Sequence, residues 1–319
     1  MSAELLIQND NAVYAPSVLE DIQWTTERIS TPGKLTFKVI VDGILNISEG
    51  NAVRLKWNGA NIFYGFIFSK QIDKDKVMTI TAYDQLRYLK NKDTYVIEDK
   101  TASEVVKIIC DDFNMQAGEL EDTSYKIASS VEDNQTLFDI IENALDTTLE
   151  NTKKMYVMYD DFGKVTLKSI DNMQLNLLID EETGENYDYT SSIDEETYNK
   201  IKLVFDNETT GQRDVYISQD SSNINSWGVL QYYDTLDEGE NGQVKADSLL
   251  QLYNQKTKKL TIKNAFGDTR VRAGSMVVVM LDLGDVKLQN YMLVEKCTHT
   301  FKIDSHMMEL KLRGGAFTA

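Results

Sequence analysis

The chain has few of the residues that usually carry chemistry. Its 319 positions hold two histidines, two cysteines and two prolines. His299 and His306, in HTFKIDSH, sit across an expected strand–turn–strand and can face each other over a hairpin. A metal would need a third ligand, and neither a Cys-x-x-Cys nor an HExxH helix supplies one. Cys110 falls on a helical apolar stripe with Val106, Ile109 and Phe113, and Cys297 falls within a strand, so both read as small buried hydrophobes, not a disulfide. GxSxG, P-loop and GxGxxG–helix motifs are missing, and with them the usual hardware of acyl transfer and nucleotide chemistry. No cofactor is expected. No apolar run approaches the ~20 residues of a membrane helix, so membrane insertion is not expected. MSAELLIQNDNAVY lacks the basic and apolar regions of a secretion signal. Synthesis in the cytoplasm is expected, with any exit by lysis or a dedicated machine.

A basic excess is also missing. Net charge is −18, and its distribution says more than its size. Residues 1–110 hold 13 basic and 14 acidic side chains, and residues 201–319 hold 14 and 15. The deficit sits in 111–150, with 1 against 11, and in 171–200, with 1 against 9. Nucleic-acid affinity comes largely from neutralising phosphates with Lys and Arg, so tight binding of DNA or RNA is not expected.

What is present is β pattern. Residues 259–313 contain four apolar-rich runs (LTIKNAF, SMVVVML, YMLVEKCTHTF, MMELKLR) separated by Gly, Asp and Asn, the signature of a β-meander. A looser copy lies near the N-terminus. Gly50-Asn-Ala-Val53 parallels Gly274-Ser-Met-Val277, Tyr64–Ile67 parallels Tyr291–Val294, and Met78-Thr-Ile80 parallels Met308-Glu-Leu310. Around that copy, LTFKVIVD alternates, Val53, Leu55 and Trp57 alternate with Arg54 and Lys56, Asn58-Gly59 predicts a hairpin, and Gly65 marks a bulge or sharp bend. Two similar barrels at the two ends of one chain suit a building block better than an enzyme. Gly50 and Gly274 themselves read as turn residues needing positive φ, ahead of ligand-approach sites. Residues 1–34, which hold both prolines, Pro16 and Pro32, show no clear pattern.

The middle differs. Thr101-Ala-Ser-Glu104 is a capping box opening a helix to about 113, after a strand at 94–97. QTLFDIIENALDTTL is a second helix with Leu137, Ile140, Ile141, Ala144 and Leu145 on one face, and MYVMYDDFGKVTLKS reads as a hairpin. IDEETGENYDYTSSIDEET lacks apolar periodicity and is the expected linker. Strands resume at KIKLVFD, RDVYIS and GVLQYYD, and one helix is expected at about 245–258.

Abundant carboxylates raise the question of a glycosidase, which needs two carboxyl groups facing across a gap. Asp160-Asp161, Glu181-Glu182 and Glu195-Glu196 are sequence neighbours in polar turns and read as surface charge. Trp24, Trp57 and Trp227 are too scattered for a carbohydrate-stacking platform and read as core or interface residues.

Three stretches together resemble a known family: 82–113, DNQTLFDIIENAL with the following MYVMYDDFGKVTL, and VRAGSMVVV…YMLVEKCTHTFKIDSHMMELKLRG. They are similar to baseplate hub proteins of contractile phage tails and phage-tail-like bacteriocins (late control protein D-like), especially the Gram-positive defective-prophage type. The likeness runs from about 35 to 313 and includes no catalytic signature. It implies a mainly β fold with an α+β insertion: two similar tube-like antiparallel β-barrel domains (1–98 and 191–319) flanking a small acidic α/β domain with its linker (99–190). It also implies a homotrimer whose six barrels form a pseudo-sixfold ring between a hexameric tail tube and a trimeric central spike. Wedge proteins or a tape measure are possible neighbours. Because the chain stops at Ala319, a spike or lysozyme domain would be a separate protein. The alternatives carried forward are a tail-tip peptidoglycan hydrolase and a carbohydrate-binding adhesin. No catalytic, cofactor-binding or metal-ligating residues are expected, and the sequence does not name the interface residues.

Overall fold

Alternating apolar residues build a seven-strand sheet at the N-terminal end. Its strands are β1 (Ala3–Asn9), β2 (Ala12–Tyr14), β3 (Val18–Glu27), β4 (Lys34–Ile40), β5 (Ala52–Trp57), β6 (Ala60–Ile72) and β7 (Val77–Tyr83). They lie in the order β3-β4-β7-β6-β5-β1-β2 and curl around Leu35, Phe37, Val39, Val53, Leu55, Ile67 and Ile80, all essentially without solvent exposure. In the computed structural model, residues 2–41, 43, 45–207, 211–236, 241–282 and 287–314 are described. Gly65 stands where β6 changes partner from β5 to β7. A Cβ there would lie 2.2 Å from the Tyr83 carbonyl oxygen, so only glycine lets the two backbones meet.

A turn of 3-10 helix (Gln85–Lys90) leads into the α/β unit: β8 (Lys92–Thr101), α1 (Ala102–Asp112), β9 (Ala117–Leu120), β10 (Lys126–Thr136), α2 (Leu137–Thr152), β11 (Tyr156–Asp160) and β12 (Val165–Ser169). The capping box at Thr101 and Glu104 is formed in both directions. Both helices bury the stripes their sequences show, and β11 pairs with β12 as the expected hairpin.

The second large sheet uses β13 (Gln174–Ile179) and β14 (Asn186–Ser192), and returns after an excursion. That excursion is a separate lobe: β15 (Lys200–Asn207), β16 (Gln212–Gln219), α3 (Ser221–Trp227), β17 (Gln231–Thr235) and α4 (Gly242–Tyr253), with its own core of Ile201, Leu203, Leu236, Ala246 and Leu249. The chain then adds β18 (Thr257–Phe266), β19 (Met276–Asp282), β20 (Lys287–Phe301) and β21 (His306–Gly314).

Three expectations need correction. The four C-terminal strands are not a meander. β18 pairs with β21, not with β19, giving the order β18-β21-β20-β19, which is a Greek-key arrangement. The segment read as a linker contains β14, paired along its length with β18, and two of its acidic residues are held by basic ones on the barrel, Glu195 by Lys259 and Glu196 by Arg313 at 2.7 Å. Lastly, residues 199–253 form their own lobe instead of barrel wall. Periodicity reports which face of a strand is buried but not which strand lies beside it, and an edge strand paired on one side needs little periodicity at all.

The repeat goes further than the sequence suggested. With the three-residue edge strand β2 left out, both barrels count six strands and, numbered in order of appearance, have the spatial order 2-3-6-5-4-1: β3-β4-β7-β6-β5-β1 and β14-β18-β21-β20-β19-β13. Ile67 of β6 and Val294 of β20 each precede a bulge at the same place, after which Ile72 pairs with Met78 and His299 with Met308. One difference stands out: β1 runs antiparallel to β5, whereas β13 runs parallel to β19.

Candidate functional site at the junction of the two barrels

The two barrels share one continuous sheet. The first half of β20 pairs with β19; past Val294 the strand turns its edge to β3 of the other barrel, from Lys296 opposite Glu27 to Phe301 opposite Ile22. This seam is more than backbone. Arg28 grips Glu295 with two hydrogen bonds of 2.8 and 3.2 Å, Thr25 and Thr298 hydroxyls lie 3.2 Å apart, and Lys296 reaches Glu27.

Beneath the backbone lies an aromatic stack. Trp24 stacks on His299 with centroids 4.9 Å apart, His299 on Phe301 at 5.7 Å, and Phe301 on His306 at 4.4 Å, while Trp57 packs on Phe301 at 5.0 Å. Phe301 thus belongs to the second barrel by sequence and to the first barrel's core by packing. The two histidines do face each other, with His299 Nδ1 2.8 Å from His306 Nε2. Val271's carbonyl, which can only accept, lies 2.9 Å from His299 Nε2. That nitrogen therefore carries the hydrogen, and His306 donates to Nδ1 of its neighbour. Burial, with the neighbouring His306 adding to it, pushes His299 down to about 3, and burial against the opposing pull of Asp268 pushes His306 down to about 4, so both are neutral at pH 7. Cys297 is 3.1 Å from His299, and burial raises its thiol far above the nucleophilic range. Cys110 is buried in the α/β core, and burial lifts its thiol to about 11; both cysteines are free. Among the described residues, no group of three or more His, Cys, Asp or Glu side chains could hold a metal ion.

A polar node pins the α/β unit to both barrels. Asp84 accepts from the Gly33 amide at 2.8 Å and the Leu86 amide at 3.1 Å. Asp160 accepts from Gln85 at 3.0 Å and from the Gly163 amide at 2.7 Å. Arg272 lies over Tyr159, 4.5 Å from the ring centroid, and over Trp24 at 5.6 Å, and donates to the Asp160 carbonyl at 2.9 Å. Burial pushes the Asp160 carboxyl up to about 6. It drives Asp84 well above the usual carboxylate range, with the nearby Asp160 charge adding to the shift. Asp160 is therefore not the surface charge its sequence setting suggests, whereas Glu181, Glu182, Glu195 and Glu196 are exposed. Its sequence signal is weak: a carboxylate next to a turn looks the same whether or not another domain closes over it.

A cleft of about 340 Å³ lies between α2, the seam and the lobe, lined by Arg28, Glu142, Asp146, Tyr253 and Arg313 among others. Burial raises Glu142 to about 7, against the opposing pull of Arg28. Sequence reasoning did not find this cleft, because its walls come from stretches far apart in the chain.

Trp24 and Trp57 are buried and Trp227 is half-buried on α3, so the tryptophans form no platform. No helix among the described residues is long and apolar enough to cross a membrane.

The pattern of two like barrels around an α/β unit finds relatives along its whole length. Residues 22–313 match the model of the YqbQ-like family. The chain belongs to that family. It is 32% identical to YqbQ of Bacillus subtilis (strain 168) over 92% of this chain and 91% of that one. It is also 32% identical to the phage-like element PBSX protein XkdQ of the same organism, over 96% and 95%. Among solved structures, the fold is similar to the 43 kDa tail protein of prophage MuSo2 from Shewanella oneidensis, with TM-score 0.70, 12% identity and coverage of 97% and 98%. It is also similar to prophage tail protein gp18 from Listeria monocytogenes, with TM-score 0.65, 10% identity and coverage of 98% and 94%. A likeness of TM-score 0.56, at 10% identity, extends to the E. coli c3393 protein, a component of the type VI secretion system, over 99% of this chain and 78% of that one. The chain therefore has the mainly β fold of phage tail proteins.

Proposed function

We propose that this protein is a structural baseplate hub of a contractile tail or tail-like particle, a trimer whose six barrels form a ring between a hexameric tube and a trimeric spike. The observation that carries this reading is the duplicated 2-3-6-5-4-1 strand order. A chain with two like barrels fused side by side offers, in three copies, six similar faces to a sixfold tube and three identical ones to a threefold spike. Full-length relatedness to a phage-like element protein and the likeness to tail proteins support it. The protein is then a scaffold without catalytic activity, made in the cytoplasm and carried in the particle's baseplate until lysis. The acidic character of the middle region would keep a passing polyanion from sticking. Mass measurement of the protein alone, and with tube and spike partners, should give a trimer or a trimer-based complex. A monomer indifferent to both partners would refute the reading.

A second reading, glycan hydrolysis, attaches to the cleft at Glu142, whose raised carboxyl suits a general acid. Of the other carboxylates lining the cleft, Asp146 is one turn along the same helix and projects beside Glu142 instead of facing it, and Glu196 is exposed and ion-paired with Arg313. A peptidoglycan zymogram decides between them: clearing abolished by Glu142→Gln would favour hydrolysis over a purely structural role.

A further inference from the structure

The duplication leaves two strand edges over, and each is the counterpart of an edge already in use. Within the chain, the seam joins β20 of the second barrel to β3 of the first. By strand order, the counterpart of β20 is β6, and the counterpart of β3 is β14. Past its bulge β6 is paired with β7 on one side only, and β14 is paired only with β18, among the described residues. An unpaired edge is a template for another strand.

The registers can be carried across residue by residue. Trp24 pairs with Leu35, and Tyr189 with Leu260; Leu35 and Leu260 are themselves counterparts, because their other neighbours, Ala82 and Leu312, pair with Ile67 and Val294. Tyr189 is thus the second barrel's Trp24. On the other strand, Ile72 is the first barrel's His299, since both pair with the matching methionines Met78 and Met308. We propose that residues 69–72 of one copy pair antiparallel with residues 189–192 of a second copy. Ile72 then lies opposite Tyr189 and Gln71 opposite Thr190, repeating between chains the seam that β20 and β3 make within one.

Three observations favour a second copy of this chain as the occupant. First, burial is uneven between counterparts. His299 has no solvent exposure because Trp24 covers it, whereas Ile72, in the matching position, is 54% exposed. Tyr189 from a neighbour would supply that cover. Second, the side chains brought opposite one another are compatible. Thr25 with Thr298 becomes Thr190 with Gln71, another pair able to hydrogen-bond, and the ion pair of Glu27 with Lys296 becomes the neutral pair Ser192 with Ser69. Third, charge is complementary. Lys74 and Lys76 follow β6, while β14 contains Asp188 and is preceded by Glu185, and Asp73 is turned into its own turn by bonds from the Asp75 and Val77 amides. The contact is heterologous, one edge against a different one, so repeating it around an axis closes a ring without leaving a free edge. This inference rests on the trimeric reading above and specifies which strands close the trimer.

The test is a pair of cysteines. The Arg28 amide bonds the Glu295 carbonyl, which places Thr25 and Thr298 at a non-hydrogen-bonded position, where facing Cα atoms come closest. The corresponding substitutions are Gln71→Cys and Thr190→Cys, both at exposed positions and within disulfide reach if the register holds. The full-length double variant, oxidised at a concentration where mass measurement gives a trimer, should yield covalent trimers. Mixing the two single variants should yield covalent dimers. Gln71→Cys with Asp188→Cys, two residues out of register, should cross-link at least tenfold less. A trimer by mass with no cross-link, or with equal cross-linking in the shifted pair, overturns the edge pairing and leaves the trimer intact. A monomer at every concentration, with and without tube and spike partners, overturns both.

Discussion

Gly50 and Gly274 occupy the same position in two copies of one design. The Gly50 amide donates to the Ile67 carbonyl and the Gly274 amide to the Val294 carbonyl, each at 2.8 Å. The next residue along returns the bond: Ile67 donates to the Asn51 carbonyl and Val294 to that of Ser275, each at 2.9 Å. The two backbones even share a conformation, with φ of +87° and +90°.

Alanine at either glycine should cost about 1–2 kcal/mol for the left-handed backbone alone. Their surroundings differ, though. A Cβ at Gly50 meets open space, whereas one at Gly274 would lie 2.6 Å from a Val157 methyl carbon on the α/β unit. Gly274→Ala should therefore destabilise more than Gly50→Ala in urea titration, and adding Val157→Ala to Gly274→Ala should recover the clash part of that difference. Equal costs at the two sites would contradict the geometry.

The histidine pair gives a spectroscopic prediction. Both imidazoles are held below their usual value of about 6.5, so in the folded protein neither takes up a proton until the pH nears 4. The unfolded chain protonates first. Their contribution to stability is thus complete above pH 6.5 and is lost as pH falls from there toward 4, by about 2 kcal/mol for His299 at pH 5. Asp160, raised to about 6, works in the opposite sense, favouring the fold as pH drops through 6. Histidine ring-proton shifts separate the two effects, since the chain holds only two histidines. Neither ring should titrate between pH 8 and 5; a midpoint near 6.5 for either would show that it is not sealed in the seam.

Trp24→Ala should cost about 3–5 kcal/mol, because it opens a cavity over His299 where both barrels meet. Trp227→Ala, on the lobe, should cost clearly less. Thermal melts of the two variants give the ranking, and a Trp227 loss as large as that of Trp24 would refute it.

Asp84→Ala strands the Gly33 and Leu86 amides, and each lost partner should cost about 1–3 kcal/mol. Asp84→Asn keeps one acceptor oxygen and should lose roughly half as much. Chemical denaturation of both variants would show whether the node is held by those two bonds; indifference to both changes would mean that it is not.

Much of this was legible in the residues and some was not. The strand at Leu35–Val39, the capping box of α1, the α2 stripe and the matched Gly50 and Gly274 all follow from short-range pattern, and the structure has each of them. The two copies differ in spacing, 17 residues from Gly50 to Ile67 against 20 from Gly274 to Val294, and the extra three fall between Val277 and Met292, since Val53 pairs with Gly65 and Val277 with Met292. Long-range choices left no such trace. Nothing in YMLVEKCTHTF says that β20 leaves β19 halfway for a strand near the N-terminus, and nothing in DDFG says that Asp160 will be roofed by Arg272. β14 was missed because the outward half of an edge strand can be wholly polar.

The seam between β3 and β20 also sets a timetable. Thr25 meets Thr298 across 273 positions of chain, so the outer edge of β3 has no partner until almost the whole protein has left the ribosome. At about 5–20 residues per second that wait is roughly 15–50 s. During it the nascent N-terminal barrel exposes an open β-edge with Trp24 uncovered beside it, a period in which a chaperone or a neighbouring nascent chain can reach that edge before β20 does.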